Sequence, residues 1–161
     1  MAQQIVSSFD DIAAGCQART ARIVWCTMAT TDAKGRTRVR LVHPVFEGST
    51  GWITTRRDSN KSRHIAANPH VSLSYWDPQH QQVYAECHAQ WIDDVAEKRR
   101  VWELFKATPS PYGYDPAMFW PGGPASDDFG VLRCTPWRVE LTSMTPSGFE
   151  SRVWRPQGPV T

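Results

Sequence analysis

The chain has 161 residues, of which 40% are hydrophobic and 21% charged, a size and composition typical of one compact domain spanning residues 1–161. Its formal net charge is +2, from 18 Lys and Arg against 16 Asp and Glu, and this near balance argues against nucleic acid or an anionic membrane as the main partner. No run of about 18 apolar residues predicts a membrane span, and the opening MAQQIVSSFDD lacks the pattern of a signal peptide, so we expect a cytoplasmic protein.

The first third of the sequence predicts a helix and then a β-hairpin. Residues 8–18 have Ser8 as a candidate N-cap and acidic residues in the first turn, which predicts a short helix. Residues 20–31 and 36–47 are rich in β-branched residues, and Gly35 lies in the turn between them. This pattern predicts two antiparallel strands.

The second strand of the hairpin contains the alternating stretch RTRVRLVHP, residues 36–44. Side chains alternate between the two faces of a strand. We expect Val39 and Leu41 to face the interior, so Arg38 and Arg40 should face outward, about 7 Å apart along the strand. Two cations at that distance favour an anion beside them.

A candidate phosphate site follows the hairpin. Residues 52–55 predict a short strand, and residues 58–69 predict a helix that begins with Asp58 as its cap and ends before Pro69. Backbone N–H groups at a helix start favour anions, and hydroxyl and ammonium groups add to this. Near such an anion we expect the backbone N–H groups of Ser59, Asn60 and Lys61, the side chains of Ser59 and Lys61, and the hydroxyl and backbone groups of Thr54 and Thr55. The alternative is a solvated basic surface, which is the commoner role of such stretches.

The rest of the chain predicts more strands, one helix and a lid. In chain order we expect a strand at 70–76, a strand at 81–93, a helix at 93–107 capped by Asp94, an ordered aromatic loop or lid at 108–128 and a strand at 129–144. The tail at 147–161 is expected to be partly mobile. Because no βαβ alternation is present, the elements predict a mainly β (α+β) fold, an antiparallel six-stranded β-barrel with flanking helices.

Cysteine and histidine spacing predicts no metal site. The four cysteines form no CxxC pair, and each lies in a predicted helix or strand, so buried free thiols are expected. The five histidines show neither HxH nor HExxH spacing.

Residues 36–93 resemble the pyridoxamine 5'-phosphate oxidase-like FMN-binding split barrels. The matching motifs are RVRL at 38–41, TT followed by SNK within 54–61, NP at 68–69, VSLSYWDP at 71–78 and QV at 82–83. The resemblance implies a split barrel, FMN as the cofactor and a homodimer with its flavins in the interface. The general stress protein and the flavin/deazaflavin oxidoreductase subgroups look most similar, so a deazaflavin is the alternative cofactor.

The resemblance also implies roles for individual residues. It assigns the FMN phosphate to Arg38 and Lys61, with Ser59 nearby. It further assigns contacts with the flavin to the backbone of Val39, Arg40 and Leu41, to Thr54 and Thr55, and to Gln82 from the partner subunit.

Two departures from the family pattern bear on the substrate. The true oxidases have a substrate-binding lysine where this chain has His43, and their C-terminal Arg-x-His motif has no counterpart in residues 139–149. We therefore expect an FMN-dependent oxidoreductase that acts on a small, planar or apolar molecule instead of pyridoxamine phosphate. His43 is the candidate catalytic residue, and His43 and Trp120 are the candidate substrate contacts. The alternative is a protein that binds a flavin, a deazaflavin or haem without turnover.

Overall fold

The computed structural model describes residues 2–157, which form nine strands and three α-helices. In chain order these are β1 (Ala2–Val6), α1 (Asp10–Ile23), β2 (Cys26–Thr31), β3 (Thr37–Val42), β4 (Val45–Glu47), β5 (Thr50–Arg56), α2 (Asn60–Ala67), β6 (His70–Trp76), β7 (Gln82–Ile92), α3 (Val95–Ala107), β8 (Phe129–Thr145) and β9 (Gly148–Trp154). The predicted mainly β (α+β) class is confirmed, but the sheet has nine strands where six were expected, and one of its pairings is parallel. Over the residues described, none of the helices combines the length and the apolar character needed to cross a membrane.

All nine strands belong to one open sheet. Its main path runs β1-β9-β8-β7-β6-β2-β3, while β4 pairs with β5 and β5 pairs with β8. Strand β8, with 17 residues, pairs through its first part with β5 and through its last part with β9. Within residues 2–157 no pairing joins β3 to β4 or β5, so the sheet curves without closing.

The apolar side chains form two clusters on opposite faces of β8. The barrel core lies inside the curved sheet and includes Met28, Leu73 and Leu132. The second cluster, which we call the α3 core, packs α3 and the lid against β5 and β8 through Phe105 and Phe129. The candidate site described below lies beside both clusters.

Local sequence signals correctly predicted helix α3 and strand β7. Helix α3 begins after Asp94, whose carboxylate accepts a hydrogen bond from the N–H of Glu97 at 2.7 Å, as the capping spacing predicts. Strand β7 occupies most of the predicted range 81–93, and its alternate residues Val83, Ala85, Cys87 and Ala89 form a buried face.

The two earlier helices differ from prediction at their starts and ends. Helix α1 has Phe9 as its N-cap in place of Ser8 and extends to Ile23, so residues 20–23 are helical where a strand was predicted. Helix α2 has Ser59 as its N-cap, and the predicted cap Asp58 instead pairs with Arg56 at 3.2 Å. An adjacent guanidinium is a stronger partner for this carboxylate than a backbone N–H.

The predicted facing of β3 is wrong. Val39 and Leu41 are 60% and 67% exposed, whereas Arg40 is half-buried and shares its face with the buried Val42. Strand β3 ends the path of the sheet, so within residues 2–157 one of its two edges has no partner strand, and the exposure of Val39 and Leu41 shows that the face they share is uncovered. Because the side-chain period is two, assigning the wrong face inverts the position of every residue in the strand.

The C-terminal segment adds a strand that the sequence did not predict. Strand β9 pairs with β8 and, in parallel, with β1, and it buries Ser151 and Val153. This part of the expected mobile tail is therefore a strand of the sheet. The end of that tail, residues 158–161, lies outside the described residues.

Candidate functional site

A cavity of about 860 Å3 opens between the barrel and the lid. Four parts of the chain form its walls: the end of α1 with the residues after it, the neighbouring parts of β3 and β5, the start of α2, and the lid. The side chains that line it include those of Trp25, Arg40, His43, Thr54, Thr55, Lys61, Tyr114, Phe119 and Trp120. The volume lies within the range of cofactor and ligand pockets, about 300–1,000 Å3.

One end of the cavity is cationic. The Nζ of Lys61 donates hydrogen bonds to the Oγ1 of Thr55 at 2.6 Å and to the Oγ of Ser59 at 3.4 Å. Burial lowers the pKa of Lys61, and the charge of Arg40 lowers it further. Within the part of the chain that the structure describes, neither Lys61 nor Arg40 forms a salt bridge. Two half-buried cations without a carboxylate partner are suited to an anionic ligand.

The other end of the cavity is aromatic and surrounds His43. The imidazole lies 5.0 Å from the ring of Trp25 and 5.0 Å from that of Tyr114, measured between centroids. Its Nε2 donates to the backbone carbonyl of Tyr112 at 2.8 Å, so in the neutral ring Nδ1 carries no proton. Burial lowers the pKa of His43, and the bond to the Tyr112 carbonyl only partly opposes this effect. The side chain is therefore neutral near pH 7.

The lid is fastened to the barrel by its tyrosines. The backbone N–H of Phe46 donates to the Oη of Tyr112 at 2.8 Å, and the Oη of Tyr114 is hydrogen-bonded to the Oγ1 of Thr54. The lid and the sheet thus form the cavity together.

Trp120 lies at the base of the lid and is only 6% exposed. It packs edge-on against Phe129 at 5.1 Å and belongs to the α3 core while also lining the cavity. Much of its surface is therefore engaged in packing. Phe119 and Met118, which are 63% and 75% exposed, present freer apolar surface at the cavity wall.

The structure brings together only part of the predicted site. The predicted residues that line the cavity are Arg40, Leu41, His43, Thr54, Thr55, Lys61 and Trp120. Ser59 contacts Lys61, as described above. Five predicted residues do not line the cavity: Arg38, Val39, Ser59, Asn60 and Gln82.

Contacts elsewhere explain two of these absences. The Oδ1 of Asn60 accepts a hydrogen bond from Arg63, and the Oε1 of Gln82 accepts one from Tyr84 at 2.8 Å. The prediction for Gln82 concerned the cavity of a partner subunit, so it stays a prediction.

Sequence reasoning missed two residues of the aromatic end. Trp25 belongs to none of the motifs, yet it is 56% exposed and lies beside His43. Tyr114 lies within the predicted lid but had no predicted role of its own. The repeated tyrosine in PYGY is the signal that two hydroxyls from the lid reach the sheet.

Across residues 2–157 no group of three or more potential ligands could hold a metal ion.

Comparison with known proteins gives a family and a fold. A family model described as Pyridoxamine 5'-phosphate oxidase matches residues 14–143, most of the chain. No curated protein sequence matches the chain.

Solved structures with the same fold are distant in sequence. A protein from Clostridium acetobutylicum related to general stress protein 26 is 12% identical with a TM-score of 0.70, over 88% of this chain and 94% of that one. An FMN-binding, pyridoxamine 5'-phosphate oxidase-related protein from Nostoc punctiforme is 15% identical with a TM-score of 0.60, over 94% and 98%. An F420 reductase is 18% identical with a TM-score of 0.54, over 76% and 94%.

Proposed function

Because this chain belongs to the pyridoxamine 5'-phosphate oxidase family, we propose that it binds FMN in the cavity and acts as an FMN-dependent oxidoreductase. One observation carries the proposal: two half-buried cations without carboxylate partners, Arg40 and Lys61, lie at one end of a cavity whose other end is aromatic. A planar ring system with a phosphate on a flexible chain fits both ends. The FMN-binding relative with the same fold supports this cofactor, and the F420 reductase supports a deazaflavin as the alternative.

The chain's own side chains have defined tasks under this proposal. Lys61, Thr55 and Ser59 hold the phosphate by charge-assisted and neutral hydrogen bonds. The tyrosine-fastened lid excludes water from the ring. When bound, the flavin supplies the transfer of a hydride or of single electrons, and the protein supplies position and electrostatics.

The substrate that we propose is small, planar or apolar. The neutral His43 replaces the cationic lysine of the true oxidases, and the walls nearby are Trp25, Tyr114 and Phe119. Besides Arg40 and Lys61, the described residues give the cavity wall one more Arg or Lys side chain, Arg56, and it is paired with Asp58 at 3.2 Å, which leaves it poorly suited to a second phosphate. Stacking and apolar contact with the substrate fit this surface better.

We also propose that the protein is a homodimer. Val39 and Leu41 project from the free face of β3, and Trp76 on the neighbouring part of the sheet is 54% exposed. An apolar surface of this kind on an edge of a sheet is typical of an interface. In the dimer, Gln82 would contact the flavin of the partner subunit.

The test begins with the cofactor. The purified protein is denatured, and the mass and absorption spectrum of the released molecule distinguish FMN, a deazaflavin and haem. The loaded protein is then reduced anaerobically by a nicotinamide donor or by reduced deazaflavin, and candidate acceptors are added. Reoxidation faster than that of free reduced FMN supports an oxidoreductase. A bound flavin that no donor reduces would support a binding protein without turnover.

A further inference from the structure

Arg40 occupies an unusual position for a charged side chain. It lies in the middle of β3 and pairs across the ladder with Met28 of β2, which is fully buried. Its side chain lies on the inward face with Val42 and lines the cavity beside Lys61. The neighbouring Arg38 is exposed and does not line the cavity.

Within residues 2–157, one terminal nitrogen of the Arg40 guanidinium has a hydrogen-bond partner and the other has none. Its Nη1 donates to the Oγ1 of Thr30 at 2.7 Å. Its Nη2 is shielded from solvent, and it has no hydrogen-bond partner among residues 2–157. A buried N–H group without an acceptor lowers the stability of the folded protein. A phosphate could accept hydrogen bonds from two N–H groups of the same guanidinium, because the planar guanidinium matches the spacing of two phosphate oxygens.

Helix α2 fixes the arginine indirectly. Thr30 is 1% exposed, and its Oγ1 also lies 3.0 Å from the Nδ1 of His64. Because that hydroxyl accepts from Arg40, its own proton is available to donate to the imidazole nitrogen. His64 lies one turn after Lys61 in α2, so one helix presents a lysine to the cavity and orients the arginine that faces it.

The positive charges of Arg40 and Lys61 also favour an anionic ligand between them. Burial and the charge of Arg38 lower the pKa of Arg40, and burial and the charge of Arg40 lower that of Lys61. An arginine nevertheless stays protonated. Within residues 2–157 neither cation forms a salt bridge, and the charge of Asp58 only partly offsets the effects that lower the pKa of Lys61, so an anion between the two cations would relieve their repulsion.

We propose that Arg40 is a direct ligand of the cofactor's phosphate monoester together with Lys61, and that Thr30 is the residue that positions it. The resemblance assigns this contact to Arg38 and gives Arg40 only a backbone contact, so the inference adds a side-chain contact that the resemblance does not imply. It rests on the proposed function, because FMN is the phosphate ester used as the probe.

The experiment compares FMN with riboflavin, which has the same ring and ribityl chain but no phosphate. Flavin-free protein is titrated with each by fluorescence quenching, and the ratio of the two dissociation constants measures recognition of the phosphate. Arg40→Met should weaken FMN binding by about tenfold to a hundredfold, the range for losing a hydrogen bond to a charged group, and leave riboflavin binding nearly unchanged. Arg36→Met removes the same charge from an exposed arginine paired with Asp32, and it should preserve the wild-type ratio.

Two further variants address folding and positioning. Arg40→Lys keeps the charge without the planar fork and should recover only part of the preference for FMN. Thr30→Val keeps the shape but removes the acceptor, and it should lower the ratio less than Arg40→Met does. Urea unfolding of each variant checks that the fold is intact.

The outcomes are distinct. Equal losses for FMN and riboflavin in Arg40→Met would place Arg40 at the ring or in the fold and would overturn the inference. An unchanged ratio in Arg40→Met, with wild-type preference for FMN intact, would overturn the inference and leave the proposed function standing. A wild-type protein that binds neither flavin would overturn both.

Discussion

Replacing Lys61 with methionine should separate ligand binding from stability. Lys61 is half-buried, donates only to neutral hydroxyls and lies near Arg40. Methionine keeps the length and packing of the side chain but removes the charge. The free energy of unfolding of the flavin-free protein should change by less than about 1 kcal/mol, because two hydrogen bonds to neutral groups are lost while a charge is removed from a partly dry site.

The effect on FMN binding should be much larger. Losing a hydrogen bond between a charged group and the phosphate costs about 1.5 to 3 kcal/mol, which raises the dissociation constant about 13-fold to 160-fold. At an FMN concentration about 100 times the wild-type dissociation constant, bound ligand stabilises the wild type by about 2.7 kcal/mol. The same concentration should stabilise the Lys61→Met variant by only about 0.3 to 1.3 kcal/mol.

Urea unfolding with and without FMN measures both quantities. Lys106→Met is the matched control, since it removes the same charge from an exposed position on α3. FMN should stabilise this control as much as it does the wild type. If FMN stabilised Lys61→Met by the full wild-type amount, Lys61 would not hold the phosphate, and the assignment of the cationic end would be wrong.

Other properties of the molecule can be tested separately. Because burial holds the pKa of His43 below its ordinary value, the unfolded chain binds a proton there at a pH where the folded chain does not, so stability should fall as the pH drops below about 6.5. His43→Asn should show a smaller fall in urea unfolding at successive pH values, and an identical pH dependence would contradict this reasoning. Trp120→Ala should lower the free energy of unfolding by about 3 to 5 kcal/mol, the cost of emptying a large buried site, and a loss below 1 kcal/mol would show that the α3 core collapses around it. Light scattering should give twice 18.2 kDa for the wild type, and Leu41→Glu should shift it toward the monomer; a monomeric wild type at micromolar concentration would remove the homodimer and the role of Gln82. Pyridoxamine 5'-phosphate with oxygen should yield little or no pyridoxal phosphate from the FMN-loaded protein, whereas turnover of about 1 per second or more would restore the family's namesake activity.

Elements with strong local signals were predictable from the sequence. The capping pair Asp94 and Glu97 marks the start of α3, and the alternation from Val83 to Ala89 marks the buried face of β7. Each signal is contained within a few neighbouring residues. Burial of one face then reinforces the local preference, as is usual for amphipathic elements.

Features that depend on distant parts of the chain were not predictable. Residues 20–23 have a composition typical of a strand, yet they continue α1, in which Thr20 is buried. The facing of β3 depends on which of its two faces the rest of the chain covers, and no local pattern encodes this. The pairing of β1 with β9 joins the two ends of the described chain. In each case tertiary contacts override or complete the local preference.

The same distinction between local signals and distant contacts applies to the residues of the candidate site. The motifs identified Lys61, Thr54 and Thr55 because these residues belong to a contiguous stretch that folds into the cavity wall. They did not indicate the inward direction of Arg40 or the position of Trp25 beside His43. Those arrangements require β3, α1 and the lid to meet, and their sequence separations are large.

The alternation of β8 between the two apolar clusters has a consequence for how the molecule unfolds. Val131 packs into the α3 core, and the next residue, Leu132, packs into the barrel core. Both residues are fully buried, so this segment of β8 is packed on both of its faces. Detaching α3 and the lid would expose one face of that segment to water and weaken its hold on β5 and β7, which it pairs with. We therefore expect the two clusters to melt as one cooperative unit and the walls of the cavity to persist until global unfolding.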